Sequence, residues 1–397
     1  MILQDRQDML TILSLALGAF AIGVAEFAAM GLLPYYAAGL GVTEPEAGHA
    51  VSAYAIGVVV GAPVVAVLSA WIERKRLLLG LMVVFGLACL FSALAPSLET
   101  LVIARFLAGL PHGTYLGISM LFAAELSPGR GAAGVAKVLA GLTVANVIGV
   151  PLAGAVGQAF GWRWCFVIVA LLALATVVMI WRIAPASARP RGVNPLRELG
   201  ALANRAVWLT LMISAIGFGA VFAVYAYLSA AMIDAANAPA WSIPLALSAF
   251  GIGATLGSFL AGRLATWSHF GGALVLLVGM ALASLLYTAV VGDWMLMTGA
   301  ILLLGLTTGL VIPLQMRLIE VAGDAQTLAA ALNHAAFNAA NALGPFLAGL
   351  ALTAGHGWGV TGQVGAALAV GGMVALGLAW IDSRRSLRLR PALEAGC

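Results

Sequence analysis

Charge is what this sequence has least of. Only 9% of its 397 residues are charged, against 63% hydrophobic residues and a mean hydropathy of +1.07. A soluble globular domain carries roughly 25% charged residues, so that class is excluded. Cysteine is equally scarce: Cys89, Cys165 and Cys397 share no metal-ligand or redox spacing, and the first two lie in or beside apolar segments. They read as packing residues, with no disulfide framework and no metal site expected. No Gly-rich strand-to-helix loop is present to cradle a phosphate, and no cofactor is expected. The net charge of +4 could suit nucleic acid, but the basic residues sit in short loops between apolar runs, so no nucleic-acid partner is expected.

What remains is long apolar runs. Bounded by charge, Pro or Gly clusters, they fall near 10–35, 50–71, 77–94, 98–124, 138–160 and 164–184, then near 206–232, 244–266, 272–291, 295–314, 328–353 and 360–381. A membrane-spanning helix needs roughly 20 apolar residues, so the lengths predict an all-α membrane protein of twelve transmembrane helices with little chain left for a soluble domain. The first run follows MILQDRQDML and is too long for a signal-peptide core, so it reads as a retained helix. Between the two sets lies PASARPRGVNPLRELGALANR, Pro-rich and basic. The expected organisation is a six-helix bundle over 1–184, a cytoplasmic linker over 185–205, and a second bundle over 206–397 with a short cytoplasmic tail.

Orientation follows from the positive charges. With alternating spans and a cytoplasmic N-terminus, all of the 19 Lys and Arg residues fall on the cytoplasmic side except Arg163, in an external loop, and Arg105, inside a span. The opposite loops carry Glu44, Glu46, Glu99, Asp234 and Asp293. A miscount by one span would scramble this asymmetry, so both termini are expected in the cytoplasm.

An internal repeat supports the count independently. SAYAIGVVVG from Ser52 matches SAFGIGATLG from Ser248, ANVIGVPLAG from Ala145 matches ANALGPFLAG from Ala340, and the fourth and tenth spans share GLxxG from Gly109 and Gly305. Like spans recur six helices on in the same direction, which predicts two parallel repeats about an axis along the membrane normal.

An ionisable side chain within a span costs about 2.5 to 3.5 kcal/mol on insertion scales, so each needs a reason. Glu26 in the first span and Arg105 in the fourth lie at similar depth, which permits either a structural ion pair or functional carboxylate chemistry. His112 follows Arg105 on the same helical face, beside Pro111, as a packing residue or a cavity group. The matching positions of the second half are Ile301 and Thr308, so any proton chemistry is concentrated in the first half. His334, Asn338 and Asn341 make one polar stripe on the eleventh span, with Asn146 as the repeat partner of Asn341. The stripe can contact a solute or only bond neighbouring helices. Tyr54, Tyr115, Phe222 and Tyr225 are candidate aromatic walls, with core packing as the plainer reading. An intramembrane enzyme would need a nucleophile and base; Ser119 near His112 is the only faint pair, and no enzyme is expected.

Together these features resemble the major facilitator superfamily over essentially the whole chain. Leu101, Arg105, Gly109 and Gly113 resemble its buried-arginine motif. Gly141, Ala145, Gly149, Pro151 and Gly154 resemble the antiporter motif of its drug–proton exporters, with the Pro one place late, and GWRWCF from Gly161 is typical of that group. EFxxMGLLP from Glu26, GAPVVAVLS from Gly61 and ARFLAGLPHG are similar to the arabinose and sugar efflux branch. The gating motif keeps its basic tail in Arg74, Lys75 and Arg76, while Ala66 and Ala70 stand where Gly and Asp are usual. The resemblance implies an inner-membrane exporter of sugars or small amphiphilic drugs, driven by protons, with alternating access; one chain holds a complete pathway, so a monomer is expected. On that reading Glu26 is expected to carry the proton, tuned by Arg105 and His112, with the substrate cavity lined by the Asn stripe. The alternative within transport is a proton-independent facilitator or importer of a small metabolite.

Overall fold

The computed structural model describes residues 2–69, 72–127, 131–186, 204–322 and 326–394, with side chains over 6–65, 72–127, 134–186, 204–322 and 332–384. Every regular element among them is helical. Among the described residues, twelve helices are long and apolar enough to cross a membrane. Six are Arg6–Gly31, Glu44–Val65, Arg74–Ala93, Leu98–Glu125, Gly134–Phe160 and Arg163–Ile183. The other six are Arg205–Asp234, Ser242–Trp267, His269–Val290, Trp294–Val321, Leu332–Thr353 and Val360–Arg384. They are numbered here as spans 1 to 12. Residues 187–203, most of the expected linker, lie outside the described residues.

Span starts are written in local chemistry that hydropathy overlooks. The run near 50–71 in fact begins at Glu44, because Thr43 and Glu46 form a capping box: the Thr43 N–H and Oγ1 donate to Glu46 Oε2 at 2.9 and 2.8 Å. Ser97, Ser268 and Asp293 accept from backbone N–H groups opening spans 4, 9 and 10. Span 4 is not one helix. It breaks between Gly109 and His112, where Pro111 cannot continue the backbone ladder. Large apolar side chains such as Leu87, Leu174, Phe259 and Leu282 remain exposed around the bundle, as a lipid-facing surface requires.

The repeat seen in sequence is a repeat of contacts. A methyl group added at Gly57, Gly61 or Gly109 would run into backbone atoms of Phe106, Leu110 and Tyr54, which locks span 2 against span 4. At Gly253, Gly257 and Gly305 it would run into backbone atoms of Leu302, Leu306 and Phe250, which locks span 8 against span 10 at the same register. Lipid supplies no hydrophobic drive between helices, so such close approach carries the packing. Gly253→Leu is therefore expected to disrupt the second half, at a cost above the ~1 to 3 kcal/mol of ordinary overpacking because backbone rather than side chain must yield. Loss of the monodisperse peak in detergent is the expected reading; a variant that elutes and melts like the native protein would count against this packing.

Candidate functional site

The two halves meet through spans 2 and 11 and through spans 5 and 8. At the end of the bundle away from the termini they are sealed: Ser52 Oγ donates to the Ala342 carbonyl at 3.1 Å across the seam. Tyr227 of span 7 donates to the Pro345 carbonyl, its hydroxyl seated between Gly48 of span 2 and Gly349 of span 11. Toward the terminus-bearing end the halves part around a cavity of about 900 Å³. Its walls come from spans 1, 2, 4 and 5 of the first half and spans 7, 8, 10 and 11 of the second. That volume lies within the usual range for a small-molecule site.

At the closed end, Glu26 is 8% exposed, and its Oε1 accepts a hydrogen bond of 3.0 Å from Asn341 Nδ2 of the opposite half. This corrects the pair suggested by depth: no ion pair joins Glu26 to Arg105 among the described residues. Arg105, 1% exposed, instead lays its guanidinium over the Tyr54 ring, 4.2 Å from the centroid, with the Phe166 ring at 5.5 Å. A weakly hydrated planar cation suits an aromatic face. None of its three nitrogens has a protein hydrogen bond. The Tyr54 hydroxyl lies 2.9 Å from His112 Nδ1, so Arg105 and His112 share one tyrosine. Arg105→Met is expected to leave thermal stability unchanged or raised, since an apolar chain of similar length replaces a charge without hydrogen bonds. A fall in melting temperature beyond about 5 °C would mean that the aromatic stack outweighs desolvation.

A polar cluster buried at the seam of two parallel six-helix halves, above a cavity open between them, sets the chain beside known membrane proteins. The profile of the Major Facilitator Superfamily matches residues 15–320. The chain belongs to that superfamily. The inner membrane transport protein YdhP of Escherichia coli K12 is 37% identical over 370 residues, covering 90% of this chain and 92% of that protein. The chloramphenicol resistance protein of Streptomyces lividans is 35% identical, with 92% and 93% covered. The crystal structure of a point mutant of the nucleoside transporter NupG superposes with a TM-score of 0.73 at 14% identity, covering 93% of this chain and 99% of that one, which speaks to fold. The protein is a multi-pass inner-membrane transporter with efflux-type relatives, and not an enzyme.

In this transporter the candidate substrate contacts divide. Asn146, Phe222 and His334 line the cavity. Tyr54, Tyr115, Tyr225, Asn338 and Asn341 do not. Tyr115 donates to the Leu15 carbonyl at 3.2 Å and fills the notch left by Gly18, while Tyr225 packs on Phe250 with ring centroids 4.2 Å apart. Asn338 turns back to the His334 carbonyl, and Asn341 serves Glu26. The stripe is thus split between the cavity wall, its own helix and the seam.

Two of the motif glycines act on span 1. Gly141 and Gly149 bring span 5 against Ala16, Phe20 and Val24, with a π-helical turn over Ala145–Gly149 just before Pro151. Gly154 faces Leu247 of span 8. Arg74 pairs with Glu125 at the end of span 4, Arg76 pairs with Glu73, and Lys75 Nζ donates to the Ala184 carbonyl after span 6. Arg74 and Lys75 therefore tie helices within the first half, while Arg76 closes onto the residue that opens its own helix. The side chains of Ala66 and Ala70 lie outside the described residues.

Sequence reasoning missed Phe27, Phe218, Phe250 and Gln315, which line the cavity. It also missed Asn333, which donates to Gln315 Oε1 at 2.7 Å and accepts from Ser214 Oγ at 3.2 Å. Phe27 was within reach, since it is the chain neighbour of the one carboxylate deep in a span.

Proposed function

We propose that the transporter is a proton-coupled efflux antiporter that exports sugars or small amphiphilic drugs by alternating access. The observation that carries this reading is the Glu26–Asn341 hydrogen bond, a carboxyl group held across the seam between the halves. A hydrogen bond to a charged group contributes about 1.5 to 3 kcal/mol and a neutral one about 1 kcal/mol, so a proton arriving on Glu26 weakens a contact between halves and its departure restores it. Arginine cannot serve this role because it never deprotonates in proteins. Arg105 and His112, joined through Tyr54, shape the field around the carboxyl group.

The Lys and Arg asymmetry supports placing the terminus-bearing end in the cytoplasm, which makes this conformation inward-facing. One proton moving down about 100 mV yields about 2.3 kcal/mol, enough for roughly a fifty-fold gradient of a neutral solute. The name of the Streptomyces lividans relative favours export of a drug-like compound. The two bundles, joined through residues 185–205, would rock as units, and one chain holds a whole pathway and works as a monomer. The test is transport in proteoliposomes under an imposed pH gradient, with internal pH followed by dye. Substrate-dependent proton movement supports antiport. Solute flux with no proton movement makes the protein a facilitator and Glu26 a structural group.

A further inference from the structure

The repeat that relates the two halves carries an ion pair with it, and one member has changed. In the first half, Arg74 at the start of span 3 pairs with Glu125 at the end of span 4. The spacing of 195 residues that relates Ala145 to Ala340 also relates Arg74 to His269, at the start of span 9, and Glu125 to Glu320, in the last turn of span 10. These two meet as well, with His269 Nδ1 lying 3.0 Å from Glu320 Oε1. Even the exposure matches: 19% and 23% for the basic side chains, 55% and 48% for the carboxylates. Arginine is charged at every physiological pH, whereas histidine ordinarily changes charge between about pH 5 and 8. The same latch is thus permanent in one half and titratable in the other.

What the second latch holds is a hinged piece of the cavity wall. Span 10 is helical over Trp294–Thr307, passes through a 3-10 turn over Thr308–Leu310 and resumes over Val311–Val321. That last segment presents Val311, Ile312, Gln315, Met316 and Ile319 to the cavity, and Glu320 follows directly. Its pair with His269 ties the segment to span 9, which does not line the cavity. Closing the mouth moves the segment toward the first half, against this tie. Arg317 holds the other oxygen of Glu320, Nη1 to Oε2 at 3.5 Å, and lies over the Phe270 ring at 4.9 Å. The remaining charged groups at this end of the spans packed on span 9 are Arg263 of span 8, which is exposed, and Asp382 and Arg384 of span 12. Asp382 pairs with Arg205, and Arg384 stacks on Trp380. An imidazolium gives Glu320 a charge-assisted hydrogen bond, a neutral ring at most an ordinary one.

We propose that His269 and Glu320 form a second proton site, separate from Glu26, that senses cytoplasmic pH and regulates closing of the cavity mouth. The open conformation holds the pair, so it is favoured while the imidazole is charged and loses that advantage as pH rises through the histidine range. By linkage, the open conformation binds this proton more tightly than the closed one. A fall in internal pH therefore holds the mouth open and slows the cycle. The inference takes from the proposed function only the orientation and the closing of the halves over this cavity, and does not need Glu26 to carry a proton.

The test uses the full chain in right-side-out membrane vesicles, with Cys89, Cys165 and Cys397 replaced by alanine and Ser52→Cys at the sealed end as reporter. Glu26→Gln removes the coupling carboxylate. Impermeant maleimide is added outside at fixed external pH and zero membrane potential, while internal pH is set across about pH 5 to 8. Labelling should speed up about two- to five-fold as internal pH rises, the usual contribution of a partly exposed ion pair. His269→Arg, which restores the residue of the related position, should label slowly at every internal pH, and His269→Gln quickly at every internal pH. Glu320→Gln should be equally insensitive. A reporter chain that ignores internal pH, or a response that survives in His269→Arg or in Glu320→Gln, would overturn the proposal. A response to external pH alone would place the latch outside and overturn the orientation with it. The antiport reading fails separately, on proton movement in the chain that keeps Glu26.

Discussion

Glu26→Gln is expected to abolish proton-driven accumulation while leaving binding and passive exchange of substrate intact. The side chains have the same length, and the amide oxygen of Gln can accept from Asn341 as the carboxylate does at 3.0 Å, so the seam keeps its geometry. What is lost is the exchangeable proton. In proteoliposomes with an imposed gradient, the substrate ratio should fall from as much as roughly fifty-fold to unity. Counterflow of labelled substrate against unlabelled substrate, which needs no proton, should persist. The companion variant Asn341→Ala should impair both, because it leaves a buried carboxyl without its partner. Asn341 also carries a buried Oδ1 that makes no hydrogen bond. Its amide can therefore serve Glu26 in either state, donating to the carboxylate or accepting from the protonated acid. Full proton coupling in Glu26→Gln would remove this residue from the mechanism.

The fold was legible in the sequence because membrane helices are constrained one at a time. Each span must satisfy its own backbone within lipid, so length and hydropathy locate it without knowledge of its neighbours. The repeat was legible for a related reason: Gly57 and Gly253 are glycine because a backbone passes too close for a side chain, and the same approach recurs in both halves. The site was only partly legible. Depth along a helix placed Glu26 level with Arg105, but depth says nothing about azimuth, and the carboxyl group turns to Asn341 on a helix of the other half. The guanidinium found an aromatic face, a partner that charge pairing does not anticipate. The hydroxyls of the cavity wall are equally invisible in sequence as donors already engaged, since Thr and Ser read as polar whether or not they bond their own helix.

Gly251→Val is expected to move the transporter out of the conformation described above, inward-facing in the proposed orientation, without unfolding either half. A Cβ at position 251 would lie 2.5 Å from the Asn146 carbonyl oxygen and 3.0 Å from the Val147 Cα, both backbone atoms of the π-helical turn in span 5. No rotamer change relieves a clash with backbone. Unlike the contact made by Gly253, this one joins span 8 of the second half to span 5 of the first, so relief comes from separating the halves. An overpacking cost of about 1 to 3 kcal/mol, charged only to the state in which the halves touch there, shifts the conformational ratio by roughly five- to more than a hundred-fold. The shift can be read by placing Ser52→Cys at the sealed end, where the native hydroxyl bonds Ala342 across the seam, in a chain whose other cysteines are replaced by alanine. A membrane-impermeant maleimide added from outside should label that cysteine poorly in the parent and readily in the valine variant. Equal labelling in the two, with a lowered melting temperature in the variant, would mean that Gly251 serves the packing of a rigid bundle and not the choice between states.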